Sequence, residues 1–170
     1  ILRAAAYGTV SIMFPMIISV REVRDAKELL EDCRRELLEQ GLPVGKVEIG
    51  IMVETPAAVM LANELAQEVQ FFSLGTNDLT QYTLAIDRQN PRLEPFYDPH
   101  HPAVLRMIQA TVDAGHRHGC WVGICGELGA DLSMTETFLR MGVDELSVSP
   151  AAVLPLRKRI RSLDLSLSKE

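Results

Sequence analysis

The hydrophobic pattern of the chain alternates short apolar runs with longer amphipathic stretches. Five runs are apolar enough to form buried strands, and they cover residues 10–17, 47–53, 70–74, 120–125 and 145–149. Nearly continuous apolar strands of this kind are typical of parallel sheets that are covered by helices on both faces. A segment with helical periodicity or helix-capping residues follows the runs. The pattern therefore predicts a parallel α/β fold of about five β/α units.

Capping residues indicate where the intervening helices begin and end. Ser19 is followed three residues later by Glu22, which is the spacing of a capping box, and Gly41 marks the expected end of that helix. Thr55 is the expected cap of a second helix, which we predict over residues 57–69. Further helices are predicted from about residue 102, over residues 131–141, and as a closing basic helix after residue 149.

The composition is that of an ordinary globular protein. Hydrophobic residues make up 47% and charged residues 24% of the 170 residues, which excludes a disordered tail, a collagen-like rod and a disulfide-stapled scaffold. The net charge of −6 disfavours nucleic-acid binding, and we expect the basic cluster over residues 157–161 to be a solvated helix face. The uncharged run over residues 4–20 contains Gly8 and Pro15, so we expect a buried strand there rather than a membrane-spanning helix.

The cysteines and the first residue bear on the compartment and on completeness. Cys33, Cys120 and Cys125 show no metal-ligand spacing, so we expect a reducing, cytoplasmic environment. Cys33 and Cys120 are expected to pack in the interior.

The chain begins with Ile1 and shows no signal-like start. We therefore expect it to be part of a longer protein.

Polar side chains follow three successive predicted strands. Glu54 ends the second strand, Asn77 and Asp78 follow the third, and Cys125 follows the fourth. In parallel α/β folds, the carboxyl ends of the strands line the active face. Glu54 and Asp78 suit a hard divalent cation, because Mg²⁺ is often held by one or two carboxylates together with substrate oxygens and water. They could equally be acidic residues that complement helix dipoles.

Three of these side chains or their neighbours could act on an anionic substrate. Arg88 offers a planar fork for phosphate or carboxylate oxygens, although it could simply pair with Asp87 or another nearby carboxylate. Asn77 could donate its amide to the same anion or serve only as a turn former or helix cap. Cys125 could be a nucleophile, a general acid or an inert core cysteine. No histidine stands where it would form a dyad with this thiol.

Several segments resemble enzyme I of the bacterial phosphotransferase system, the phosphoenolpyruvate–protein phosphotransferase family. The segments are IMFPMI at 12–17, MVETPAA at 52–58, GTNDLTQYTLA at 75–85, DRQN at 87–90 and CGEL at 125–128. They occur in the same order as in that family, and the resemblance extends over about residues 12–161. The segment at 75–87 is highly specific for it.

The resemblance implies a fold and a set of site residues. The family's C-terminal domain is a (β/α)₈ TIM barrel that binds phosphoenolpyruvate and Mg²⁺, so residues 1–170 would be an incomplete, C-terminal portion of that barrel. By position, Glu54 and Asp78 resemble the metal ligands. Asn77 and Arg88 resemble the phosphate-binding residues, with the backbone at Asp78 also near the substrate. Cys125 resembles the general acid that protonates the enolate carbon as pyruvate forms.

The resemblance also implies an activity and partners. Members of the family pass the phosphoryl group of phosphoenolpyruvate to an enzyme histidine and on to the HPr carrier protein, for sugar uptake, and they are cytoplasmic homodimers. The phosphohistidine and HPr-binding domains, and the opening strands of the barrel with their arginines, have no counterpart in the 170 residues. We therefore expect that this chain alone does not turn over phosphoenolpyruvate.

Two other interpretations remain open. Pyruvate phosphate dikinase and phosphoenolpyruvate synthase share the barrel and segments similar to GTND and CGE, although residues 81–88 look more like enzyme I. A non-catalytic dimerisation or regulatory module is the second alternative, since the C-terminal domain of the family carries its dimer interface.

Overall fold

The computed structural model describes residues 1–166, and its centre is a single parallel sheet. The strands of this part of the chain are β1 (Val10–Phe14), β2 (Val47–Val53), β3 (Phe71–Leu74), β4 (Trp121–Ile124) and β5 (Glu145–Leu146). They lie side by side in chain order, and each neighbouring pair is parallel. This order is that of an arc of a β/α barrel, so the predicted parallel α/β fold is confirmed.

Helices connect the strands and cover the outer face of the sheet. They are α1 (Val20–Glu39), α2 (Pro56–Met60), α3 (Ala62–Leu65), α4 (Thr76–Leu84), α5 (Pro102–Arg117), α6 (Thr135–Met141) and α7 (Pro150–Arg161). Short 3₁₀ turns cover Ala4–Ala6, Glu94–Phe96 and Glu127–Ala130. Among the described residues, none of the helices combines the length and the apolar character needed to cross a membrane.

The predicted helix caps are confirmed. Ser19 Oγ accepts the amide hydrogen of Glu22 at 3.3 Å, and Glu22 Oε2 accepts that of Ser19 at 3.2 Å. Thr55 Oγ1 accepts the amide hydrogen of Ala58 at 3.1 Å. Each such cap contributes about 1 kcal/mol to the helix that it begins. The Thr55 cap matters for the site described below, because it fixes the direction in which the chain leaves β2.

Several predicted boundaries are wrong, and local chemistry explains most of them. The first strand ends at Phe14 because Pro15 has no amide hydrogen to donate. The helix predicted over residues 57–69 is divided into α2 and α3 at Leu61, whose backbone is not helical. Helix α6 begins at Thr135 instead of 131, because the Asp131 carboxylate accepts the amide hydrogen of Ser133 and forms a turn there. The last strand covers only Glu145–Leu146, and the chain leaves the sheet three residues before α7 begins at Pro150.

Two burial predictions are also wrong. Strand β1 is not buried on both faces, since Ser11 and Met13 are exposed. Within the described residues β1 is an edge strand that pairs with β2 alone. Cys33 is exposed and does not pack in the interior, whereas Cys120 is buried as predicted. The basic side chains on α7 are largely exposed, as expected for a solvated helix face.

The main core lies between the sheet and the helices. Alternate residues of the central strands, including Ile51, Phe72 and Val122, are fully buried against apolar residues of α5 such as Ile108 and Val112. Because side chains alternate along a strand, the other face of these strands points into the barrel. The core therefore anchors the central strands firmly from outside, and their carboxyl ends carry the polar residues of interest.

Candidate functional site

The carboxyl ends of β2, β3 and β4 lie together, as predicted from the sequence. The amide of Gly75 donates to the carbonyl of Val53 at 3.2 Å, and the amide of Cys125 donates to the carbonyl of Leu74 at 3.1 Å. These bonds join the residues immediately after each strand to the neighbouring strand. They bring Glu54, the first turn of α4 and Cys125 to one edge of the sheet.

Glu54 is a buried carboxylate with one defined hydrogen bond. Only 3% of the residue is exposed, and its Oε1 accepts the amide hydrogen of Met16 at 2.8 Å. Met16 adopts a left-handed backbone (φ 54°), which costs roughly 1 kcal/mol for a residue with a side chain. Burial is the largest influence on Glu54 and raises its pKa; Asp78 raises the pKa further, while the Met16 bond and Arg88 lower it.

Gly75 allows the Glu54 carboxylate to lie against the start of α4. A Cβ atom at Gly75 would lie 2.5 Å from Glu54 Oε2 and 2.7 Å from Glu54 Cβ. Such distances are far shorter than van der Waals contact. The absence of a side chain at this position is therefore what leaves room for the carboxylate.

Asp78 and Arg88 form an ion pair at the rim of the site. Arg88 Nη2 lies 3.2 Å from Asp78 Oδ1, and about a third of each side chain is exposed. The Arg88 amide donates to Gln81 Oε1 at 3.1 Å, which holds the turn after α4 against that helix. The arginine thus has a neighbouring carboxylate, but its partner is Asp78 and not the adjacent Asp87. This partner lies within the candidate site, so the ion pair is compatible with anion binding by Arg88.

Asn77 is held by two hydrogen bonds and does not cap the helix. Gly75 is the N-cap of α4, and no side chain caps it, so the helix-cap alternative for Asn77 is wrong. Asn77 Oδ1 accepts the amide hydrogen of Glu127 at 3.2 Å, and the Asn77 carbonyl accepts the hydroxyl of Tyr97 at 3.1 Å. Since Oδ1 is the acceptor end of the amide, Nδ2 is left as a donor, and it donates to no other described residue.

Cys125 is a partly buried thiol close to Glu54. Its Sγ donates to the carbonyl of Leu74 at 3.5 Å. Burial is the main cause that raises the pKa of this thiol; Glu54 and Glu145 raise the pKa further, and Ser73 lowers it. A raised pKa keeps the group in the thiol form near neutral pH, which suits a proton donor and disfavours a thiolate nucleophile.

A cavity of about 520 Å³ opens beside Asn77 and Arg88. Its lining consists of Asn77, Arg88, Gln89, Pro91, Glu94, Tyr97 and Glu127. Glu54, Asp78 and Cys125 are not in this lining, and Asp78 is joined to it by its ion pair with Arg88. The sequence singled out Asn77 and Arg88, but not Tyr97, Gln89 or Glu94. The available signal was the position of Tyr97 in the proline-rich segment that follows the GTND stretch.

The start of α4 packs tightly against the segment after β4. A Cβ atom at Gly126 would lie 1.9 Å from Thr76 Oγ1. Thr76 is 1% exposed, and its hydroxyl has no hydrogen-bond partner within residues 1–166. This close approach is what brings the Glu127 amide within reach of Asn77.

The residues present fit a divalent cation better than a tightly coordinated transition metal. Within residues 1–166 there is no group of three or more His, Cys, Asp or Glu side chains that could hold a metal by themselves. Glu54 and Asp78 nevertheless interact closely enough for Asp78 to raise the pKa of Glu54. Carboxylate oxygens are donors of the kind that Mg²⁺ takes together with water and substrate oxygens.

Sequence comparisons connect this site to known proteins. The phosphoenolpyruvate–protein phosphotransferase of Haemophilus influenzae is 48% identical over 170 residues, which is 99% of this chain and 30% of that protein. The protein of the same name from Buchnera aphidicola subsp. Baizongia pistaciae is 51% identical over 95% of this chain and 28% of its own length. The chain thus spans less than a third of the length of these relatives.

Structural comparisons support the barrel architecture. A citrate lyase from Burkholderia xenovorans has a TM-score of 0.66 at 24% identity, over 96% of this chain and 52% of its own. Malate synthase from Haloferax volcanii has a TM-score of 0.64 at 14% identity, over 88% of this chain and 41% of its own. At such identities these likenesses show the fold alone. They confirm that the five parallel units are an incomplete TIM barrel.

A family model described as "PEP-utilising enzyme, PEP-binding domain" matches residues 1–165, nearly the whole chain. The chain therefore belongs to the family of PEP-binding domains of PEP-utilising enzymes.

Proposed function

We propose that residues 1–170 are the C-terminal part of the phosphoenolpyruvate-binding barrel of a phosphoenolpyruvate–protein phosphotransferase. The relatives that bear this name are similar to almost the entire chain. The complete protein would transfer the phosphoryl group of phosphoenolpyruvate to one of its histidines and release pyruvate. It would then pass the phosphoryl group to HPr, which serves sugar uptake. We further propose that it acts in the cytoplasm as a homodimer.

One observation carries this proposal: three neighbouring strand ends bring the carboxylates of Glu54 and Asp78, the amide of Asn77 and the thiol of Cys125 to one edge of the sheet. Phosphoryl transfer depends mainly on positioning and on neutralising charge. Arg88 and the Nδ2 group of Asn77, which both line the cavity, would bind the phosphate. Glu54 and Asp78 would hold Mg²⁺, which when bound neutralises negative charge on the substrate.

Cys125 would act as the proton donor. When the phosphoryl group leaves, the remaining enolate needs a proton on its terminal carbon to become pyruvate. A thiol that remains protonated near neutral pH can supply that proton, and the resulting thiolate would then be reprotonated from solvent. The buried carboxylate of Glu54 near this thiol opposes its loss of a proton in the resting state.

The proposal is tested by titrating the ¹⁵N-labelled chain with phosphoenolpyruvate in the presence of Mg²⁺. We expect the amide signals of residues 75–78 and 125–127 to shift, and we expect Asn77→Ala to need a higher ligand concentration for the same shifts. Arg88→Lys should weaken binding, because lysine cannot replace the planar guanidinium fork. Unchanged spectra in the unsubstituted chain would contradict the proposed function.

A second assay addresses turnover. Pyruvate release in the presence of HPr should be undetectable with these 170 residues alone, because they span less than a third of the length of the phosphotransferases that they resemble. Turnover by the chain alone would overturn that expectation. In the complete protein, dependence on HPr instead of a nucleotide would distinguish this function from that of a dikinase.

A further inference from the structure

The segment between α4 and α5 folds back onto the candidate site. It begins at Ala85, whose left-handed backbone ends α4, and it carries both Arg88 and Tyr97. Tyr97 Oη donates to the carbonyl of Asn77 at 3.1 Å, which joins two residues 20 positions apart. This hydrogen bond closes the segment into a loop, so the helix that carries Asn77 and the segment that carries Arg88 are tied together at both ends.

The orientation of Asn77 depends on the same loop. Its side-chain oxygen accepts the amide hydrogen of Glu127, and its backbone oxygen accepts the hydroxyl of Tyr97. The two bonds come from different segments and fix the side chain and the backbone independently. Because the oxygen end of the amide is occupied, the donor end is the one that remains for a ligand.

Tyr97 is itself held in place from the far side. Three residues further on, His100 Nε2 lies 2.7 Å from Asp131 Oδ2, which joins the segment to the turn before α6. The other oxygen of Asp131 accepts the amide and hydroxyl hydrogens of Ser133 at 2.8 and 2.6 Å. Tyr97 is partly buried, and burial is the main cause of its raised pKa, so its hydroxyl keeps the proton that it donates.

Three residues of this region, Asn77, Tyr97 and Glu127, lie between two cavities. Asn77, Tyr97 and Glu127 line the large cavity that also contains Arg88, and they line a smaller one of about 160 Å³ next to His100 and Asp131. They form a wall between the two cavities. One side of this wall faces the proposed ligand, and the other side faces the anchoring pair of His100 and Asp131. None of the three residues belongs to the cluster of buried apolar residues that forms the core.

We propose that Tyr97 is a positioning residue for phosphate binding: through the Asn77 carbonyl, it holds Asn77 so that its Nδ2 group reaches the anion that Arg88 binds. The identity of the ligand rests on the proposed function, whereas the positioning of Asn77 is independent of that function. Tyr97 acts through Asn77 and supplies no group to the reacting atoms. Its hydroxyl is the only atom that the proposal requires.

The test is Tyr97→Phe in the 170-residue chain, with Tyr82→Phe as the matched control. Tyr82 lies on α4 with 44% of its surface exposed, and it is not in the lining of either cavity. In the ligand-free chain, we expect Tyr97→Phe to shift the side-chain amide signals of Asn77 and to speed hydrogen exchange at the Glu127 amide. Tyr82→Phe should do neither. If both signals stay as in the control, the positioning role is wrong.

A double-mutant cycle then measures whether Tyr97 acts through Asn77. With phosphoenolpyruvate and Mg²⁺ as the probe, Tyr97→Phe should weaken binding by about 3- to 10-fold, the effect of one hydrogen bond. In an Asn77→Ala background the same substitution should have little further effect. Equal losses in both backgrounds would overturn the proposal. If the unsubstituted chain does not bind the probe, the proposed function fails, and the ligand-free signals still decide the positioning role.

Discussion

Gly75→Ala tests directly whether the Glu54 carboxylate occupies the space that the structure assigns to it. The added Cβ would lie 2.5 Å from Glu54 Oε2, 2.7 Å from Glu54 Cβ and 3.0 Å from Met52 Cε. Gly75 has a φ of −81°, so alanine causes no backbone strain, and the effect is purely steric. To reach ordinary contact, the carboxylate oxygen has to move by about 0.9 Å.

The expected magnitude follows from this overlap. Forcing an extra methyl group into a packed site typically costs about 1–3 kcal/mol of folding free energy. For a chain of this length, that cost lowers the melting temperature by about 2–12 °C. The displaced carboxylate also leaves the amide of Met16, with which it forms a 2.8 Å hydrogen bond. We expect Mg²⁺-dependent binding of phosphoenolpyruvate to weaken by about 10-fold or more.

The assay is urea and thermal unfolding, followed by ligand titration, with Gly8→Ala as the control. No atom lies within 4 Å of a Cβ placed at Gly8, and neither glycine has a positive φ. The control should therefore retain the stability and the binding of the original chain. If Gly75→Ala unfolds at the same temperature as Gly8→Ala and binds the ligand normally, the position of Glu54 described here is wrong.

Three further predictions concern the same edge of the sheet. Gly126→Ala should destabilise the chain, since its Cβ would lie 1.9 Å from Thr76 Oγ1, and Thr76→Ala in the same chain should restore part of the loss, as measured by urea unfolding. Burial raises the pKa of Glu54 in the folded chain above its ordinary value of 4.5. The protonated carboxyl therefore contributes fully to stability below pH 4.5, and this contribution is lost as the pH rises through the pKa of the folded state. The unfolding free energy of Glu54→Gln should therefore fall less than that of the unsubstituted chain between pH 4 and pH 8; parallel curves would refute this. Burial also raises the pKa of Cys125, so a thiol reagent at pH 7 should modify exposed Cys33 much faster than Cys125, and equal rates would contradict the burial of that thiol.

Much of the fold was predictable because its signals are local or strictly periodic. The Ser19 capping box needs only two residues three positions apart, and it forms as predicted. The predicted strand at residues 47–53 coincides with β2, because the run of apolar residues there supplies the buried side chains of Ile51 and Val53. The meeting of Glu54, Asp78 and Cys125 followed from strand direction, because parallel strands present their carboxyl ends at one edge.

Other features depend on contacts between distant segments, which the pattern does not encode. Cys33 belongs to an apolar stripe of α1, yet Val23 is the only buried residue of that helix among those described. No α-helix precedes β1 in the described residues, so α1 has a neighbour on one side only, and most of its stripe stays partly exposed.

The contacts around Tyr97 could not be derived from spacing. Its partner Asn77 lies 20 residues away, and the anchoring pair of His100 and Asp131 spans 31 residues. Loops of this length have no periodic signal, so their conformations are set by the surfaces on which they fold. The sequence identified which residues could bind an anion, whereas the structure shows what holds them.

The most direct measurement of the central claim is the affinity of the chain for phosphoenolpyruvate with and without Mg²⁺, compared between the unsubstituted protein and Glu54→Gln. This substitution keeps the shape of the side chain and the acceptor for Met16 but removes the charge. If Glu54, Asp78, Asn77 and Arg88 form one site, Mg²⁺ should strengthen binding in the unsubstituted chain and should have little effect in Glu54→Gln. An equal response to Mg²⁺ in both proteins, or no binding in either, would contradict it.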